Sequence, residues 1–201
     1  MSNEDDLITT LIQRADATAA TQAIVERYGV EIFSYLHSLF KDDDVASDAF
    51  ATACENVYKS VLSFRGDSSV RTWFYIVARN AAHRQTRGKR HRNVDRLSAV
   101  ASVLESPIRT ATEAFRRTST KSAIHKLRES LTEEEREILL LRIDRNLSWL
   151  EIAAVCSSSA ENTEDDLKRE AARLRKQFER AKARLRELAK HAGLLGENDG
   201  D

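Results

Sequence analysis

Apolar residues recur at intervals of three and four along much of the chain, and that period favours helices over strands. Ile24, Tyr28, Ile32, Leu36 and Leu39 form one stripe, and Val45, Ala49, Ala53, Val57 and Val61 form a second, spaced by four. Val70, Trp73, Phe74, Val77 and Ala81 form a third, which predicts one buried face on the helix that carries it. The 201 residues include one proline and six glycines, so few positions can break a helix or tighten a turn. An all-α chain follows, and three amphipathic helices can bury one common core in its first half.

The breaks that do occur divide the chain. Ser63-Phe64-Arg65-Gly66-Asp67-Ser68-Ser69 is the clearest turn in the first half. Asp42, Asp43 and Asp44 suit the positive end of the helix that follows them. From about residue 84 to 117 the periodicity fades into basic, small and polar residues, with Pro107 among them, and order returns near Ile124. Thr132 with Glu135, and Ser148 with Glu151, spell two capping boxes; Leu147 and Ile152 are placed as a hydrophobic staple. Asn146-Leu147 breaks the pattern between them, and 157–162 is a polar loop. Thr163 with Asp166 starts a last helix to about Ala189, along which Leu167, Ala171, Leu174, Phe178, Ala181, Leu185 and Leu188 alternate at four and three. That heptad predicts about 25 residues in one helix of about 38 Å. The expectation is two small helical domains, residues 1–92 and 121–192, joined by a flexible linker at 93–120 and followed by a disordered tail at 193–201.

Charge narrows the function. The chain has 32 Lys and Arg against 32 Asp and Glu. A protein that grips a duplex alone is usually basic, because phosphate neutralisation supplies much of its affinity. Here the charges are sorted instead: residues 84–96 (RQTRGKRHRNVDR) are strongly basic, while Glu4 to Asp6, Asp42 to Asp44 and Glu133 to Glu135 are acidic. Sorting suits a chain that touches DNA in two places and protein elsewhere; solvated helix faces explain the acidic runs equally well. The basic run, beside the third helix, is expected to meet phosphates. Cys54 and Cys156 sit in helical apolar patterns without disulfide or zinc spacing, so buried free thiols and a reducing cytoplasm are expected. No apolar run approaches the roughly 18 residues of a membrane span, and the acidic N-terminus MSNEDDLITT lacks a signal-peptide core.

With the apolar face of the third helix turned inward, Thr72, Tyr75, Arg79, Asn80, His83 and Arg87 fall largely on the other side. Cations, an amide and an aromatic together can hold phosphates and stack on unpaired bases. The glycine and small hydroxyl residues of the preceding turn let backbone approach a base closely. An ordinary solvated face beside a Trp/Phe core is the bland alternative.

The run FRGDSSVRTWFYIVARNAA resembles region 2 of the extracytoplasmic-function group of sigma-70 family factors, through Phe64, Arg65, Gly66, Asp67, Ser68, Ser69, Arg71, Thr72, Trp73, Tyr75, Ala78, Arg79 and Asn80. Upstream, Asp42, Ala46 and Asp48 resemble the family's D-x-x-x-A-x-D helix, which docks on the polymerase clamp. The resemblance implies that the loop captures a flipped base of the −10 element on the non-template strand and that the next helix holds the unwound strand. Carried onto this sequence, the −10 set is Phe64, Arg65, Gly66, Asp67, Ser68, Arg71, Tyr75, Arg79, Asn80, His83, Arg84 and Arg87. Ala51-Thr52 stand where the family usually has Gln-Glu, so the polymerase contact is assigned to Asp48, Glu55 and Tyr58. His83 stands where the family commonly has aspartate, and a solvated histidine is the alternative there.

LTEEEREILLLR, LSWLEIAAV and RKQFERAKARLREL resemble the helices of region 4, a helix-turn-helix that lays its third helix in the major groove of the −35 element. Where the family has a tight glycine turn and T-V-K-S-R, this chain has the longer SSSAENTEDDLKREAAR. Carboxylates in that helix's first turn, Glu164, Asp165 and Asp166, would repel phosphate, so base reading is placed further along, at Arg173, Lys176, Gln177 and Arg180. The heptad stripe is expected to pack on its own domain, with a second chain or a regulator as the other occupants. The resemblance further implies core RNA polymerase as partner, through its β′ clamp and β flap, together with promoter DNA and an anti-sigma protein. It implies no cofactor, no metal and no catalytic group.

An initiation factor acting on polymerase is therefore the leading reading. A stand-alone helix-turn-helix regulator is the alternative, disfavoured by the zero net charge and by a base-capture loop that a duplex reader does not need. A metal-dependent nuclease built on Asp42, Asp43 and Asp44 lacks a second carboxylate cluster or histidine partner, and helix capping explains those residues better.

Overall fold

A computed structural model describes residues 3–40, 42–87, 130–157 and 163–191. Its described residues form α-helices and short helical turns, with no strand. The chain divides into two compact units, Met1–Ser119 and Thr120–Asp201. The linker expected at 93–120 and the tail at 193–201 lie outside the described residues. No helix among those described is long and apolar enough to cross a membrane.

The first unit contains α1 (Asn3–Gln13), α2 (Ala17–Phe40), α3 (Asp43–Ser60), a 3-10 turn (Val61–Ser63) and α4 (Val70–Arg87). The stripe on α2 is buried at Ile24, Tyr28, Ile32 and Leu36, as its spacing predicts. Asp42 caps α3 by accepting from the Asp44 and Val45 N–H groups at 3.0 Å each. Buried Ala46, Ala49 and Ala53 let α3 approach its neighbours closely, and Phe50 fills the space between them. Phe33 meets Phe50 edge-on at 5.6 Å, and Phe50 stacks on Phe74 at 6.4 Å, which joins α2, α3 and α4 in one aromatic core. Each such ring pair contributes about 0.5–1.5 kcal/mol beyond the area it buries. On α1, Ile8 is fully covered, Asp5 lies 3.2 Å from Arg27 Nε, and the Tyr28 hydroxyl donates to the same carboxylate.

α4 is rotated from its expected placement. Thr72 and Tyr75, expected on the outer side, are fully buried, whereas Trp73 and Val77, expected in the core, are half-buried. The inward face is Val70, Phe74, Tyr75, Ala78 and Ala81. Tyr75 turns in because α2 offers it both an aromatic partner, Tyr35 at 5.1 Å, and an acceptor for its hydroxyl, Glu31 at 2.8 Å. A buried tyrosine hydroxyl usually finds a hydrogen-bond partner, and Glu31 supplies it here.

The second unit contains α5 (Glu133–Leu139), a π-helical turn (Leu140–Asp144), α6 (Trp149–Cys156) and α7 (Glu164–His191). Both expected capping boxes form, Thr132 with Glu135 and Ser148 with Glu151. Asn146 takes a left-handed φ of 53°, and the Leu147 N–H closes back onto the Leu141 carbonyl at 3.0 Å. That reversal is the usual way a helix ends on Asn or Gly. It drops Leu147 into the core with Ile152, the expected staple pair. Thr163 and Asp166 exchange bonds at the start of α7 as expected: the Asp166 N–H donates to the Thr163 hydroxyl and the Thr163 N–H to the Asp166 carboxylate, each at 3.2 Å. The helix runs 28 residues, about 42 Å. Ala171, Leu174, Phe178 and Ala181 of its heptad stripe are buried against the same unit, and Trp149 of α6 meets Phe178 at 5.2 Å. Cys54 is buried; Cys156, also expected to be, is only half-buried at the end of α6.

Candidate nucleic-acid interface

The loop between the 3-10 turn and α4 is built from both ends. Phe64 donates its N–H to the Val61 carbonyl at 3.2 Å, and its ring lies 5.1 Å from that of Trp73. At the other end Ser69 caps α4: its Oγ accepts from the Thr72 N–H at 3.1 Å and shares a hydrogen bond with the Thr72 hydroxyl at 2.9 Å. Gly66, at the tip, has φ +79°, where a side chain is strained, and a Cβ there would meet nothing within 4 Å. Conformation, not crowding, calls for glycine, and the tip faces open space. Arg65 and Asp67 pair across it at 3.0 Å, both well exposed. Such a pair contributes little to stability and leaves its groups available.

Of the sequence-derived −10 set, Arg65, Gly66, Asp67, Asn80 and Arg84 are exposed, and Phe64, Ser68, Arg79 and His83 are half-buried. Asn80, His83 and Arg84 follow the loop along the outward side of α4. Two members are placed otherwise. Tyr75 is buried, and Arg71 lies on the α2 side of the helix, where its Nε meets the two Glu31 oxygens at 3.1 and 3.2 Å. The side chain of Arg87 lies outside what is described. Glu31 itself was not among the sequence candidates. The only local sign of it is a carboxylate set beside the apolar stripe of α2.

On α3, Asp48 is exposed and Glu55 lies on the same face two turns on, paired with Lys59 at 2.5 Å. Tyr58 is half-buried on the flank. This side of the helix therefore presents the exposed Asp48 carboxylate, with the mostly covered Glu55 and the half-buried Tyr58 beside it.

On α7, acidic residues crowd the first turn and basic residues prevail beyond it. A hydrogen bond from Lys168 holds the Glu164 carboxyl below its ordinary range, and bonds from Thr163 do the same for Asp166. Arg173 is engaged within the protein: it bonds Glu170 at 2.7 and 2.9 Å, Glu134 of α5 at 3.0 Å and Gln177 at 3.2 Å. Hydrogen bonds donated to Glu170, with a further one to Glu134, raise its guanidinium pKa. Lys176 and Arg180 are exposed and, among the described residues, have no carboxylate partner. Arg175, which the sequence reading omitted, shares that condition; its signal was an exposed position one step from Leu174 in the heptad.

Residues 24–92 match the family model described as Sigma-70 region 2, a span that takes in the loop and α4. The chain is 30% identical to the RNA polymerase sigma-H factor of Pseudomonas aeruginosa over 163 residues, covering 76% of this chain and 82% of that protein. It is 25% identical to the RNA polymerase sigma factor YlaC of Bacillus subtilis over 163 residues, 79% of this chain and 92% of that one. With the ECF RNA polymerase sigma-E factor of Escherichia coli the identity is 28% over 158 residues, 75% of this chain and 82% of that one. An all-helical chain whose loop and following helix fall inside a region 2 match, and whose relatives align across both units, belongs to the extracytoplasmic-function group of the sigma-70 family of RNA polymerase sigma factors.

Proposed function

We propose that this sigma factor, which directs RNA polymerase to promoters, opens them by strand capture. The observation that carries the reading is the loop at 64–69: its glycine tip faces open space, its base rests on the Phe64–Trp73 pair, and it leads into a helix with exposed Asn80 and Arg84. An everted −10 base enters beside Phe64, Arg65, Gly66, Asp67 and Ser68. Asn80, His83, Arg84 and Arg79 then hold the unpaired strand, and the basic run at 84–96 meets its phosphates. Unstacking a base costs a few kcal/mol, which stacking and hydrogen bonds in the pocket offset. Capture needs no bond chemistry, cofactor or metal, because binding the melted state shifts the population toward it.

Asp48, Glu55 and Tyr58 form the α3 face that meets the β′ clamp, and the second unit meets the β flap. On the −35 duplex α7 makes its contacts through Lys176 and Arg180, with Arg175 added to them. Arg173, held by Glu170 and Glu134, and Gln177, which accepts from Arg173, support that surface instead. The protein acts in the cytoplasm, and an anti-sigma protein is its expected regulator.

Transcription from a promoter library with purified core polymerase and this chain tests the whole reading. Specific RNA starts with shared −10 and −35 sequences support it. No start above that of core polymerase alone, with tight duplex binding by the free chain at physiological salt, would establish the stand-alone regulator instead.

A further inference from the structure

Three consecutive residues at the start of α4 hold three different things. Thr72 clasps Ser69 and so closes the loop onto the helix. Trp73 backs Phe64. Arg71 reaches the other way, to α2, where its Nε and Nη2 both donate to the Glu31 carboxylate. Tyr75, one turn along, donates its hydroxyl to a Glu31 carboxylate oxygen at 2.8 Å and meets the Tyr35 ring of α2 edge-on. The side chains of Arg71 and Glu31 are 29% and 24% exposed, against 78% and 74% for Arg65 and Asp67. A bidentate, half-buried pair with an added hydroxyl donor constrains geometry far more than an exposed one.

We propose that Glu31 is a positioning residue for the base-capture loop. Through Arg71 and Tyr75 its carboxylate sets where the first turn of α4 rests on α2, and that turn carries Ser69 and Phe64 with it. The inference rests on reading 64–69 as the capture loop. It follows from the sides of the helix: Arg71 and Tyr75 face α2, while Asn80 lies on the opposite side. The guanidinium works by holding the turn, not by touching the strand. Without Glu31 the half-buried cation loses its bidentate acceptor and the buried Tyr75 hydroxyl loses this one, so the turn is free to shift. A displacement of about 1 Å is enough to spoil a preformed site.

The test uses holoenzyme assembled from core polymerase and the full chain, read by permanganate reactivity of −10 thymines well below the melting transition. Glu31→Ala and Arg71→Ala should each lower opening roughly tenfold, the worth of one charge-assisted bond, with polymerase affinity unchanged. Exchanging the pair, Glu31→Arg with Arg71→Glu, should restore most of the opening, which loss of a strand contact would not permit. If Glu31→Ala does not fold, Glu31→Gln carries the test, and its opening should fall by a smaller factor. Undiminished opening in the Glu31 variants overturns the proposal. So does opening that rises with Glu31→Ala and falls with Arg71→Ala, which would make Arg71 a strand contact that Glu31 restrains. Asn80→Ala, run in parallel, separates the two levels. If it lowers opening while the Glu31 variants do not, only the positioning role fails; if it too leaves opening intact, the capture reading fails with it.

Discussion

Phe64 and Trp73 lie with ring centroids 5.1 Å apart and planes tilted by 46°, so the tryptophan of α4 buttresses the loop and leaves the core to its neighbour Phe74. The two adjacent aromatics therefore have separable roles. Phe74→Ala should destabilise the first unit by about 3–5 kcal/mol, the usual result of emptying a fully buried aromatic site. Trp73→Ala should cost less, about 1 kcal/mol for the lost ring pair, yet reduce promoter opening. Thermal melts of both variants, with opening measured on the folded Trp73 variant, check the division. A Trp73→Ala melt as low as that of Phe74→Ala would return the tryptophan to the core.

Ala15 stands at φ 58°, where the chain turns from α1 into α2 and the Asp16 N–H reaches back to the Leu11 carbonyl at 3.2 Å. A left-handed residue with a Cβ is disfavoured by about 1–2 kcal/mol, and glycine avoids that cost at some expense in unfolded-chain entropy. Ala15→Gly should raise the melting temperature by a few degrees, about 1 kcal/mol at most. Calorimetry that shows a lower melt would mean the strain is absent in solution.

The two thiols should differ in reactivity. Burial pushes the Cys54 thiol pKa far up, while Cys156 is half-buried. Since the thiolate is the reactive form, an aromatic disulfide reagent at mildly alkaline pH should label Cys156 readily and Cys54 only on unfolding. Cys156→Ser should abolish the fast phase. Linkage gives the sign for stability. The folded state keeps the Cys54 proton after the unfolded chain begins to lose it near pH 8.5, so this group's contribution is intact below that pH and declines as pH rises above it. Cys54→Ala should flatten that alkaline decline in a pH series of denaturant melts.

On α7, phosphate contacts and helix-positioning contacts predict different salt behaviour. Arg175→Ala, Lys176→Ala and Arg180→Ala should each weaken binding to −35 DNA and reduce the salt slope by about one unit, as loss of a phosphate contact does. Arg173→Ala, whose cation already faces Glu170 and Glu134, should change the slope little. Holoenzyme titrations on a −35-dependent promoter across a salt series read both. A full unit lost with Arg173→Ala would make it a direct DNA contact after all.

Much of this protein was decided locally and is legible in its residues. The caps at Asp42, Thr132, Ser148 and Thr163 depend on side chains bonding backbone within three residues, and all four form. The buried stripes of α2 and α7 follow from a period that any helix imposes. The loop tip needed a glycine, and Gly66 stands there with positive φ. What the residues alone left open was how α4 sits about its own axis. Trp73, Phe74 and Tyr75 lie 100° apart around the helix, and a stripe centred on Phe74 can take in either flanking aromatic. The choice fell to Tyr75 because Tyr35 and Glu31 of α2 wait on that side, 40 or more residues away in the chain. The same holds for Arg71 on Glu31 and for Arg173 on Glu134, 40 and 39 residues apart. A carboxylate at that distance leaves no trace in the local pattern of its partner. Only the packing of one helix on another brings the two within hydrogen-bond reach, and it thereby separates the cations that hold the fold from those left exposed.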